Sequence, residues 1–166
     1  IYSASFIFAL TRKGDPNYFL WRQLFFVLAG AAVMVVTLNF PVKVLRSRNF
    51  ILALLALQAA FLVIVMFAPK INGSHRWLKV GGFSIQPSEF AKITIILVTA
   101  YVLQKKLDKK LEWMHVVLKA GVPALILFAL IIIEPDMGMS AMLLLIAVSM
   151  FFVAGLPWNG ILPIGA

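Results

Sequence analysis

Cysteine is absent from the 166 residues, and acidic side chains are scarce, six Asp and Glu against fifteen Lys and Arg. Without cysteine there is no disulfide framework and no thiolate metal site, and the redox compartment stays unmarked. The two histidines, His75 and His115, stand forty residues apart and make no metal-ligand spacing. Charged residues amount to only 13% of the chain while 63% is hydrophobic, a balance that leaves a soluble domain nowhere to put its apolar surface. No internal repeat and no low-complexity segment is visible.

What is there is a series of apolar blocks, each near the ~20 residues that cross a ~30 Å hydrocarbon core at ~1.5 Å per residue. Five full spans are expected, at about Tyr18–Asn39, Phe50–Ala68, Ser88–Gln104, Val116–Ile133 and Met139–Ala154. The opening run Ile1 to Leu10 is too short to cross and has neither a basic n-region nor a cleavage site. It reads as a truncated helix end, not a signal peptide. Ile161 to Ala166 reads as the start of another span cut short. The expected fold class is therefore all-α, a polytopic transmembrane helical bundle, with residues 1–166 as a single integral membrane domain.

The net charge of +9 sits in the loops between spans and does not build one groove or recognition helix, which argues against nucleic acid and for anionic membrane lipids as partners. The loops 40–49 and 105–115 hold seven Lys and Arg, against five in 11–17 and 69–87. By the positive-inside rule the first pair faces the cytoplasm. The loop 69–87 is then unusually basic for the outer face, and Lys70, Arg76 and Lys79 gain nothing in topology there. They are expected to meet an anion.

The most informative stretch is NGSHRWLKVGGFSIQPSEFAK, Asn72 to Lys92. Asn72-Gly73 and Gly81-Gly82 mark turns, so the chain can fold back and present His75, Arg76 and Lys79 while Trp77, Leu78, Phe83 and Ile85 bury in the interface. Pro87 suits the first turn of the next helix, and Glu89 falls in the same turn, where the helix dipole favours a carboxylate. Glu89 and Lys92 form an i,i+3 pair at the membrane boundary. Two readings stand side by side: a structural ion pair that locks helix packing, or the wall of a polar cavity open to the outer leaflet with Lys92 available to a phosphate.

The second constellation is EPDMG, Glu134 to Gly138. Its paired carboxylates can do acid–base work or bind a divalent cation such as Mg or Mn. The plainer reading has Asp136 capping the helix that starts near Met137 and Glu134 solvated. Arg22 reads as an interfacial anchor, and Trp21, Trp77, Trp113 and Trp158 as an aromatic belt.

GSHRWLKVGGFSIQPSEFAK closely resembles the signature of the SEDS proteins (shape, elongation, division and sporulation), the group of FtsW, RodA and SpoVE. YSAS at Tyr2 to Ser5, RQL at Arg22 to Leu24 and EPDMG, similar to that family's QPDLG, follow in the same order. YSAS with the NGS, RW and GGFSIQPSEF elements resembles the division and sporulation branch more than the elongation branch. Glu134 departs from the pattern, which has Gln, and adds an ionisable carboxyl beside Asp136.

The resemblance implies a fold of about ten helices in the bacterial cytoplasmic membrane, of which this chain is a part. It also implies a peptidoglycan glycosyltransferase that polymerises lipid II, the undecaprenyl-pyrophosphate-linked disaccharide-pentapeptide, beside a class B penicillin-binding protein. The essential acid of that family lies in a later extracellular loop, so no catalytic residue is expected up to Ala166. Arg76, Lys79, Gln86, Glu89, Lys92 and Asp136 are the expected substrate-binding residues. The rival reading is a lipid II flippase, and a third is a membrane scaffold for a partner, with Gly30, Ala31 and Ala32 as helix-contact sites.

Overall fold

The computed structural model describes residues 17–69, 75–80, 83–108 and 112–156. The expected helix remnants at Ile1–Leu10 and Ile161–Ala166, Lys70, the turn pairs Asn72-Gly73 and Gly81-Gly82, and Trp158 lie outside them. The chain divides into two compact units, Ile1–Val42 and Lys43–Ala166.

In the first unit one helix, α1 (Tyr18–Leu38), is long and apolar enough to cross a membrane. Its C-terminal carbonyls are met locally, with Thr37 Oγ1 donating to the Val33 carbonyl at 2.7 Å and Asn39 Nδ2 to that of Val35 at 2.8 Å. The Arg22 guanidinium lies 5.9 Å from the Phe26 ring centre, one turn along the same helix.

A short turn of helix, α2 (Val42–Leu45), leads into the second unit. There α3 (Arg48–Met66), α4 (Pro87–Leu107), α5 (Trp113–Ile133) and α6 (Met137–Val153) pack together, so the chain is an all-α membrane helical bundle. Of these, α3 and α5 have the length and hydropathy of membrane spans; α6 is apolar but shorter at 17 residues, and α4 carries charge at both ends. The ends are set by local chemistry. The Ser47 hydroxyl accepts from the Phe50 N–H at 3.1 Å as the N-cap of α3. Pro87 opens α4, where the N–H it lacks would have found no partner within the helix.

The loop before α4 is not plain coil. Leu78–Val80 (β1) and Phe83–Ile85 (β2) pair antiparallel, with Leu78 opposite Ile85 and Lys79 opposite Ser84. In the sequence two glycines separate these strands. The fold-back was legible in the sequence; the strand pairing adds a small β element to an otherwise helical chain.

Two apolar clusters are stacked along the bundle. One joins Leu62 of α3, Ala91 and Ile95 of α4, Leu127 and Ile131 of α5 and Leu143 of α6; the other joins Val102, Val116, Ala120 and Phe151 towards the opposite end. The buried positions recur at helical spacing, and several are alanines, which let helix backbones approach where lipid offers no hydrophobic drive for packing. One buried polar link ties α3 to α4: Gln58 Nε2 donates to the Pro87 carbonyl at 3.0 Å. Replacing it by Gln58→Leu should lower unfolding stability in lipid by roughly 1 kcal/mol, the scale of hydrogen bonds inside membranes. Reversible unfolding in bicelles measures this.

Candidate functional site

The turn of Glu134, Pro135 and Asp136 joins α5 to α6, and Asp136 is the N-cap of α6. Its Oδ1 accepts from the Met139 N–H at 3.2 Å, and its main-chain carbonyl accepts from the Ser140 hydroxyl at 2.9 Å. Oδ2 turns towards the loop before α4, where it accepts from Gln86 Nε2 at 2.8 Å and faces Arg76 Nη1 at 3.6 Å. The Gln86 amide also donates to the Ser88 hydroxyl at 2.9 Å. Three stretches of chain therefore meet on one carboxylate: the loop at Arg76 just before β1, the start of α4 and the start of α6. At 3.6 Å the Arg76 pair is longer than a direct hydrogen bond, and the Arg76 side chain stays one-third exposed.

Other expected site residues are placed differently. Lys92 Nζ and Glu89 Oε2 form an ion pair at 2.7 Å across the first turns of α4, on a more exposed flank than buried Ser88 and Ala91. Among the described residues no ion pair connects it to the Arg76–Asp136 pair. Both lie at the same end of the bundle, where α4 and α6 begin. Lys79 is exposed on the hairpin, opposite Ser84. Leu78 and Ile85 line an apolar groove of about 360 Å³ with Leu57 and Phe61 of α3 and Phe90 of α4, and Gln58 and Pro87 reach it too. Among the described residues, no three His, Asp or Glu side chains cluster as a metal site would need.

The plainer expectation for Asp136, a helix cap, is met, and the carboxylate does more than cap. The expectation that Glu134 is solvated is not met: the residue is only 2% exposed, and neither carboxyl oxygen has a hydrogen-bond partner among the described residues. Burial first, and the charge of Asp136 second, push its carboxyl up to about 7, with Arg76 pulling the other way. Gln58 and Ser88 are functional-site neighbours to which the sequence reading gave no role. The signal was there for Gln58, the only polar residue inside its span.

The model of the FtsW/RodA/SpoVE family, described as cell cycle proteins, matches residues 1–166. The chain belongs to that family. It is 35% identical to the probable peptidoglycan glycosyltransferase FtsW of Trichlorobacter lovleyi over 158 residues, which is 93% of this chain and 41% of that protein. Against the protein of the same name from Bacillus subtilis it is 35% identical over 157 residues, 93% of this chain and 39% of the relative. A third, from Alcanivorax borkumensis, is 34% identical over 98% of this chain and 43% of its own length. The chain thus spans about two fifths of the length of the curated relatives it matches. Membership and the apolar helices together make this a multi-pass membrane protein.

Within this family member the buried Glu134 gives a pH test. Its folded value near 7 lies above the ordinary 4.5, so the folded state holds the proton more tightly and loses stability as pH rises from about 4.5 to 7. Glu134→Gln should therefore be the more stable form at pH 8, by on the order of 3 kcal/mol at most, with the gap closing towards pH 4.5. Thermal unfolding of the two forms across that range reads the difference.

Proposed function

We propose that this chain supplies the substrate-holding part of a peptidoglycan glycosyltransferase that polymerises lipid II in the bacterial cytoplasmic membrane. The observation that carries the reading is one continuous stretch, Arg76 to Phe90. It holds a cation paired to Asp136 and, within a few residues, the wall of an apolar groove. A lipid pyrophosphate needs both: apolar side chains for the isoprenoid and cations for the head.

On this reading the isoprenoid lies along Leu57, Phe61, Leu78 and Phe90, and the pyrophosphate meets Arg76, with Lys79 and Lys92 near the same mouth. As the sugar bond to pyrophosphate breaks, charge grows on the leaving phosphate, and fixed cations stabilise it. Gln86 and Asp136 hold Arg76 in place; they position and do not react. The base that deprotonates the attacking sugar hydroxyl is assigned to a carboxylate outside this chain. Residues 1–166 act as one membrane domain, and a class B penicillin-binding protein is the proposed partner.

Translocation of the same lipid is the rival reading, and one reconstitution separates the two. Full-length protein in vesicles with lipid II should form glycan polymer without any other glycosyltransferase. Arg76→Ala should cut that rate by about a hundredfold, on the scale of losing one charge-stabilising donor, and Arg76→Lys should cut it less. Lipid II that crosses the bilayer but stays monomeric would sink the polymerase reading, and an unaltered rate in Arg76→Ala would remove the role given to that residue.

A further inference from the structure

The opposite end of the bundle carries a second polar feature that this function does not use. A cavity of about 350 Å³ is lined there by Arg48, Lys105 and Lys119, one cation from each of α3, α4 and α5, together with Tyr101. Its remaining walls are apolar, Leu52 and Val98 among them. We infer that this cavity binds the phosphate of an anionic phospholipid headgroup.

Charge makes the case. Three like charges around one hollow repel unless an anion joins them. Among the described residues no acidic side chain lines the cavity, and the two ion pairs among them, Arg76–Asp136 and Lys92–Glu89, belong to the other end. Asp108 and Glu112, the acids nearest in sequence to Lys105 and Lys119, are exposed and lie outside the lining.

Placement supports it. Lys119 is the seventh residue of an apolar span, where an ammonium is costly unless it reaches polar surroundings. Lys105 is held with its Nζ 4.5 Å from the Tyr101 ring centre, which fixes a cation at the cavity rim. Arg48 is the first residue of α3, at the positive end of the helix dipole.

The shared chemistry is a phosphate anion, from a lipid or from solution. Cations combined with apolar walls between helices suit an amphiphile, whose phosphate meets the cations while its first methylenes meet Leu52 and Val98. A free phosphate would leave that apolar lining unused.

The test is native mass spectrometry of the detergent-purified full-length protein, offered phosphatidylglycerol or zwitterionic phosphatidylcholine. Wild type should retain phosphatidylglycerol preferentially. Combining Arg48→Gln, Lys105→Gln and Lys119→Gln should weaken that retention by at least about tenfold, given a gain of about fivefold per cation near a headgroup. Lys43→Gln with Arg46→Gln, exposed cations outside the lining, should leave it unchanged. If the triple variant fails to fold, Lys119→Gln alone is read, with about a fivefold loss expected. Equal retention of the two lipids by wild type, undiminished retention in the folded variant, or full displacement of the lipid by excess inorganic phosphate would each overturn the assignment, the last in favour of a soluble anion.

Discussion

The carboxylate of Asp136 is the point on which the end of this bundle where α4 and α6 begin depends. It sits in a turn between two packed helices, so its position is set before any loop arrives. One oxygen closes the first turn of α6, and the other takes Gln86 and faces Arg76. Partners fifty and sixty residues away in sequence are thereby fixed against a single rigid acceptor. In the low dielectric of a membrane boundary such a hub is strong when fully satisfied and costly when one partner is lost. The hairpin has little helical support of its own, and it leads directly into Gln86. Its placement follows from the network.

That placement explains why an arginine, and not a lysine, suits position 76. A guanidinium has donors enough to hold a carboxylate and present others to a phosphate in fixed geometry, whereas an ammonium engaged by one acid is a point charge already largely compensated. Lys92 illustrates the second case, at 2.7 Å from Glu89 on the same helix face. The two structural readings left open for that pair differ only in what else reaches Lys92. On the function proposed here its share is secondary to that of Arg76.

Much of this was legible in the sequence because it is local. Span lengths are dictated by the bilayer, so apolar runs locate the helices to within a few residues, and Pro87 and Asp136 announce helix starts through chemistry confined to one turn. Gly81-Gly82 announced a reversal, but strand pairing across it depends on partners that no periodicity in a six-residue stretch reveals. Helix faces were harder still. In a bundle the lipid side is as apolar as the core, so nothing in α5 marks Val116, Ala120 and Leu127 as buried and Leu125 as exposed. Glu134 was misread for a related reason. Solvation of a turn residue is the default, and only the packing around that turn buries it.

The two ends of the bundle handle their charge in opposite ways, and the contrast has a physical reading. Where α4 and α6 begin, each described cation within a helix or strand junction is met by an acid, save Lys79, and the one extra carboxyl, Glu134, is held where neutrality is favoured. Compensation there keeps helices together and orients Arg76. Where α3 and α5 begin and α4 ends, Arg48, Lys105 and Lys119 surround a hollow that no acid among the described residues lines. The positive-inside bias accounts for basic loops at one face, but a loop lysine satisfies it as well as one lodged nearly two turns into a span. Orientation alone therefore leaves Lys119 unexplained. An anion drawn from the surrounding leaflet supplies the missing charge without requiring another side chain.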